Sequence, residues 1–280
     1  MQNVQEADAR GATRSTVRSA DGTEIAWFTT GVGPALVMVH GGGGDHTRWG
    51  PLLPRLEPHV TVHTIDRRGR GASGDHPDYR LEREYEDVAA VIDAVAAASG
   101  GPVGVYGHSY GGICAFGAAE LTTNIERLAL YEGWPPVHPE AFAPPPGCLE
   151  RVETLLADGH RDAALETVLR EVAKITDDEI QQYREQPSWD ARLEAVESLP
   201  REEHAFATHP FDAEVASRIT VPTLLLTGTR SPDWYPEAPT VAAALPHARL
   251  VELSEQGHAA DIVASELIAS HLLAFLAADR

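Results

Sequence analysis

The chain predicts an α/β fold: a mostly parallel central sheet of about eight strands, helices on both faces, and an inserted helical lid. Three observations predict it. Short apolar or β-branched runs alternate with stretches of helical periodicity along most of the chain. A sharp glycine-flanked turn, Gly107-His108-Ser109-Tyr110-Gly111, sits between one such run and a small-residue helix. Between Trp134 and Arg218 the strand signal disappears and only charged, helical patterns remain.

The elements follow in order. Residues 1–13 are polar and read as a frayed start. Ser15–Ser19 and Glu24–Thr29 read as a hairpin around Asp21-Gly22. Ala35–Val39 is continuously apolar, as a strand covered on both faces must be. It leads into His40-Gly41-Gly42-Gly43-Gly44. Thr47–Leu56 reads as a short helix interrupted by prolines, and Val60–Ile65 as the next strand. Leu81–Ala98 has helical periodicity and stops at Gly100-Gly101. The run beginning at Val103 enters the serine turn, and Arg127–Tyr131 is a further strand. Leu149–Leu156, Arg161–Ala173 and Asp177–Arg184 read as helices of the insertion. Strands return at Val221–Thr227 and Ala248–Leu253, and a last amphipathic helix covers Ala264–Ala277. The organisation is therefore a sheet domain in two parts, 1–133 and 219–280, with a helical lid at 134–218.

Composition narrows the function. The net charge of −20 argues against nucleic acid and anionic membranes as partners, and mildly against highly anionic substrates. No apolar stretch is long enough to span a membrane. Met1–Arg18 lacks the apolar segment of a secretory leader, so a cytoplasmic location is expected. Cys114 and Cys148 form neither a disulfide framework nor a metal spacing, and Cys114 reads as a small buried residue.

The chemistry centres on Ser109. Its turn forces a strained backbone, which Gly107 and Gly111 permit, and lifts the hydroxyl above the C-terminal edge of the sheet. A free serine is a poor nucleophile and needs a base. Of thirteen histidines, His258 alone follows the last strand and opens on the same edge. His108 points elsewhere on the turn, and His271 belongs to the final helix. Two backbone N–H groups should receive the developing oxyanion. Tyr110 supplies one, and the glycine loop supplies the other through Gly42, with Gly43 as the alternative. The loop fits neither dinucleotide nor P-loop spacing.

His40-Gly41, Asp66-x-Arg68-Gly69-x-Gly71-x-Ser73, Gly107-x-Ser109-x-Gly111 and Gly257-His258 together resemble the α/β-hydrolase superfamily across essentially the whole chain. The resemblance implies a triad acid three residues after Gly228, but that position is Ser231. Some members carry the acid after the strand that precedes the lid, which here is Glu132; Asp233 is the alternative. Asp66 and Arg68 would then fix their own loop. Some of Trp134, Phe142, Trp189, Phe206 and Phe211 would line an apolar pocket.

A serine nucleophile with a histidine base attacks carbonyl carbon, so the expected reaction is hydrolysis of a small to medium ester, lactone or thioester through an acyl-enzyme. It requires no cofactor and no metal, and the expected partner is a small molecule with a reactive carbonyl. The same residues also admit perhydrolysis of the haloperoxidase type, lyase or cyclase chemistry, or ligand binding without a stable acyl-enzyme.

Overall fold

Asp21 and Gly22 turn the chain between strands β1 (Thr13–Arg18) and β2 (Glu24–Gly31), which pair antiparallel from Arg18 opposite Glu24 to Thr13 opposite Thr29. The computed structural model describes residues 11–231 and 236–278. Strands β3 (Ala35–Val39) and β4 (Thr61–Ile65) are followed by β5 (Val103–His108), β6 (Ile125–Tyr131), β7 (Thr223–Gly228) and β8 (Ala248–Leu253). Helices α1 (Leu53–Leu56), α2 (Leu81–Ser99) and α3 (Tyr110–Ala118) precede the insertion. Within the insertion lie α4 (Cys148–Ala157), α5 (Arg161–Thr167), α6 (Asp177–Arg184), α7 (Trp189–Ala195), α8 (Leu199–Phe206) and α9 (Ala213–Arg218). Helices α10 (Ala238–Ala244), α11 (Ala260–Val263) and α12 (Ser265–Ala277) complete the described chain.

The eight strands form one sheet in the order β1-β2-β4-β3-β5-β6-β7-β8. β2 runs antiparallel to β1 and β4, and every pairing from β4 to β8 is parallel. Side chains alternate across the sheet with the two-residue period of a strand. Val37, Val39, Val105, Leu128, Leu130 and Leu225 face α2, α3 and α10. Leu36, Met38, Tyr106, Ala129, Leu224 and Leu226 face α1 and α12. Both faces are covered, which is why the central strands read as unbroken apolar runs rather than alternating ones.

Helix α2 shows how local sequence sets an element. Leu81, Val88, Val91, Ile92 and Val95 form one buried stripe, Glu82 and Glu84 occupy the first turn, and Gly100 closes the helix at φ 82°. The prolines near Leu52 break the expected 47–56 helix into a short 3₁₀ turn (His46–Trp49) and α1. The inserted helices gather their own apolar cluster from Val152, Leu165, Leu169, Ile180 and Val196, packed on Ala259 and Ile262 of the sheet domain. No helix among the described residues is long and apolar enough to cross a membrane.

The chain leaving β3, β5 and β6 comes so close together that side chains are excluded. A Cβ on Gly111 would lie 2.2 Å from the His40 carbonyl oxygen, and one on Gly133 would lie 2.4 Å from that of Ser109. Overpacking of this kind costs about 1–3 kcal/mol. Gly111→Ala is therefore expected to lower the thermal midpoint by roughly 2–5 °C. Gly101→Ala, whose Cβ would meet nothing within 4 Å, should leave it in place. Equal midpoints for the two variants in a melting experiment would refute this packing constraint.

Candidate active site

Ser109 stands where β5 ends and α3 begins, with φ 53° and ψ −132°. A non-glycine residue in this region stores about 1–3 kcal/mol of strain. Its N–H donates to the Tyr131 carbonyl (3.0 Å), which ties the turn to β6. Its Oγ lies 2.9 Å from His258 Nε2.

His258 follows β8 and is buried. Its Nδ1 lies 2.7 Å from Glu132 Oε2. Glu132 is fully enclosed at the end of β6, in the left-handed region at φ 46°. Its other oxygen accepts from the Gly228 N–H (2.7 Å), from Thr227 Oγ1 (3.4 Å) and from Ser231 Oγ. A buried carboxylate is tolerated only when its lone pairs are satisfied, and β7 supplies that satisfaction. Ser231, the position where the family resemblance places an acid, holds a hydroxyl that serves Glu132 instead. Asp233, the alternative acid, lies outside the described residues.

The histidine loop is held at two further points that the sequence did not single out. His108 Nε2 lies 2.9 Å from the His258 carbonyl oxygen and so donates to it. The Tyr131 hydroxyl donates to the Gly257 carbonyl. His108 thus points away from Ser109, as its place on the turn requires, yet still fixes the backbone of His258.

The glycine loop is oriented by His40 and Arg67. The Arg67 N–H donates to His40 Nε2 (3.2 Å), which leaves His40 Nδ1–H to donate to the Gly41 carbonyl (2.8 Å). Arg67 Nη1 donates to the same carbonyl at 3.2 Å. In a trans peptide the carbonyl and the following N–H point in opposite directions, so the Gly42 N–H faces away from Arg67. Tyr110 opens α3, where the first N–H groups have no partner within the helix.

Ser109, His258, Gly42 and Tyr110 line one cavity between the sheet edge and the inserted helices. Of the five aromatic residues singled out in the sequence, Trp134, Phe142 and Phe206 line it. Trp189 instead donates to Asp162 (3.2 Å), and Phe211 packs on Phe116. Asp66 accepts from the Ala72 and His46 N–H groups, and Arg68 pairs with Asp87 and Asp21, so both fix the β4 loop. Asp45, His46 and Asp66 bring their side-chain ligand atoms within 4.8 Å of one another. Those atoms are already engaged: Asp45 caps the turn at Thr47, and Asp66 binds the His46 ring.

The cavity is less apolar than the sequence suggested, because Arg48, Arg192, Glu202 and Glu203 also line it. Arg48 binds Asp261 side-on, with Nε and Nη2 at 3.0 and 2.7 Å from Oδ2. Glu202, on α8, pairs with Arg67 and Arg70, and both arginines also reach Glu84. Burial opposes ionisation of Glu84, but Arg67 and Arg70 overcome it and hold its carboxyl down to about 2. No sequence pattern announces these pairs, because their partners stand as far as 213 residues apart.

The profile of the alpha/beta hydrolase family matches residues 36–269, and the chain belongs to that family. An alpha/beta hydrolase from Sphaerobacter thermophilus is 37% identical and superposes with a TM-score of 0.78 over 94% of this chain and 100% of that one. The (E)-2-((N-methylformamido)methylene)succinate hydrolase of Acinetobacter baylyi is 24% identical over 269 residues, 93% of this chain and 97% of that protein. The enol-lactonase of Burkholderia xenovorans shares the fold, with a TM-score of 0.71 at 23% identity over 94% of this chain and 99% of that one.

Three buried histidines make stability depend on pH. Burial pulls His63 down to about 4, and burial and neighbouring arginines pull His40 and His108 well below 6.5. The unfolded chain therefore binds more protons between about pH 4 and 6.5, so stability is full above that window and falls as pH drops through it. His63 alone should contribute roughly 2–3 kcal/mol of this loss. In melting curves across the window, His63→Asn should show a shallower decline than the wild type; parallel declines would exclude His63 as a source.

Proposed function

We propose that this alpha/beta hydrolase cleaves a small to medium carboxylic ester, lactone or thioester through an acyl-enzyme on Ser109. The observation that carries the reading is the chain of hydrogen bonds from Ser109 Oγ to His258 Nε2 (2.9 Å) and from His258 Nδ1 to Glu132 (2.7 Å). Ser109 attacks the carbonyl carbon while His258 takes its proton. Glu132 fixes the imidazole tautomer and stabilises the imidazolium that forms. The N–H groups of Gly42 and Tyr110 receive the oxyanion. The outward turn of the Gly41 carbonyl and the open first turn of α3 support that assignment. His258 then returns the proton to the leaving group, and water, activated by the same histidine, releases the acid.

In this reading the inserted helices act as a lid that excludes water and selects the substrate. Trp134, Phe142, Leu165 and Phe206 offer apolar surface to the acyl or alcohol portion. The Acinetobacter relative is named as a hydrolase, which supports a hydrolytic reaction over the perhydrolase, lyase and binding alternatives.

A fluorophosphonate probe should label the wild type at Ser109 and fail to label Ser109→Ala. Ser109→Ala and His258→Ala should each lower kcat on p-nitrophenyl esters by about 10⁴-fold or more; near-native turnover by either removes the mechanism. Glu132→Gln should cost about 10²–10⁴-fold and far exceed the effect of Asp233→Asn. The reverse ranking moves the acid to Asp233.

A further inference from the structure

Arg192, on α7, is only 2% exposed. Among the described residues no carboxylate pairs with it, and its Nε and Nη2 have no hydrogen-bond partner. Its Nη1 makes a long contact of 3.5 Å to the Gly43 carbonyl, and its guanidinium lies 4.4 Å from the Tyr183 ring centre. The neighbouring Arg48, 5.8 Å from the same ring, is already neutralised by Asp261. Asp261 is bound by Arg48, and it and Asp45 act on Arg192 only from a distance, so Arg192 is a buried cation with no carboxylate in contact, inside a chain of net charge −20. A buried unpaired charge costs several kcal/mol, and an anion offsets that cost directly.

The geometry specifies the anion. Nε–H and Nη2–H are the parallel pair with which arginine binds a carboxylate side-on. Arg48 uses this same pair on Asp261, with Nε 3.0 Å from Oδ2 and Nη2 2.9 Å from Oδ1. On Arg192 the pair is free, and the side chain lines the cavity that contains Ser109 and His258. Its contact with Gly43 sets it against the glycine loop beside the reacting groups. The acidic residues of the cavity do not cancel the charge. Glu202 is paired through Oε1 with Arg67 and Arg70, Glu132 is bound by His258, and burial and Glu202 disfavour the charged form of Glu203. Burial and Arg48 draw Arg192 down only to about 10, so it stays cationic.

We infer that Arg192 is a carboxylate-binding subsite, and that the substrate is an ester, lactone or thioester carrying a free carboxylate besides the carbonyl that Ser109 attacks. The substrate class rests on the acyl-enzyme reading above; the anion site does not. Arg192 would seat one end of the substrate while the scissile carbonyl reaches Ser109. The charge that matters to the substrate is therefore local, and opposite in sign to that of the whole chain.

The test compares p-nitrophenyl hemisuccinate with p-nitrophenyl butyrate, which have acyl chains of equal length. The ratio of kcat/KM for the two should fall about 10- to 100-fold in Arg192→Gln, chiefly through KM for the hemisuccinate. Arg192→Lys should restore part of it, and a ratio unchanged in both variants overturns the subsite. If neither ester is turned over, the reaction assignment fails, and calorimetric titration of succinate into wild type and Arg192→Gln decides the subsite alone. Binding weakened in the variant upholds it; equal binding, or none to the wild type, overturns it.

Discussion

Ser109 is held at φ 53°, and an L-residue remains there only when its surroundings leave it no lower-energy choice. Those surroundings are backbone packed on backbone. Gly111 lies against the carbonyls of Val39 and His40, Gly112 against Gly133, and Gly133 against Ser109 itself. Three parallel strands, β3, β5 and β6, converge at this point. The segments that follow them bring the glycine loop, Ser109 and Glu132 to one edge of the sheet, with His258 between Ser109 and Glu132. Without this close approach the strain would relax and the hydroxyl would lose its position relative to His258.

The second constraint is electrostatic. Arg67, Arg70, Glu84 and Glu202 form a buried cluster that joins the β4 loop, α2 and α8. Breaking one member of such a cluster leaves an uncompensated charge, at a cost of about 3–5 kcal/mol. The cluster therefore ties the inserted helices to the sheet domain directly beside the glycine loop, whose carbonyl Arg67 also holds. Packing of the insertion and orientation of the loop are linked through one side chain. Arg192 breaks this pattern of paired buried charge, which makes it stand out.

Much of the fold was legible in the sequence because the signals for it are local. The apolar run at Ala35–Val39 and the strand pattern at Ala248–Leu253 coincide with β3 and β8, and the loss of strand signal after Trp134 coincides with the helices inserted between β6 and β7. Proline placement near Leu52 was legible as an interruption, though the division into a 3₁₀ turn and α1 was not. At the site, the turn motif and chain order pointed to Ser109 and His258, because a parallel sheet sends the end of every strand to one edge, and the family resemblance offered Glu132 with Asp233 as the alternative. The structure brings those three side chains within hydrogen-bond reach.

The supports of the site were not legible. His108 neighbours Ser109 in sequence but serves the carbonyl of His258, 150 residues away. Ser231 looked like a missing acid and is a donor to Glu132. The cavity looked apolar because aromatic residues are conspicuous in a sequence, whereas a guanidinium is judged by the carboxylate beside it, and that neighbour is known only in three dimensions. Periodicity and chain order, which are properties of consecutive residues, determined the sheet, the insertion and the edge where the chemistry gathers. Which charges are paired and which one is left over was decided by tertiary structure alone, because burial and partnership are properties of space rather than of sequence.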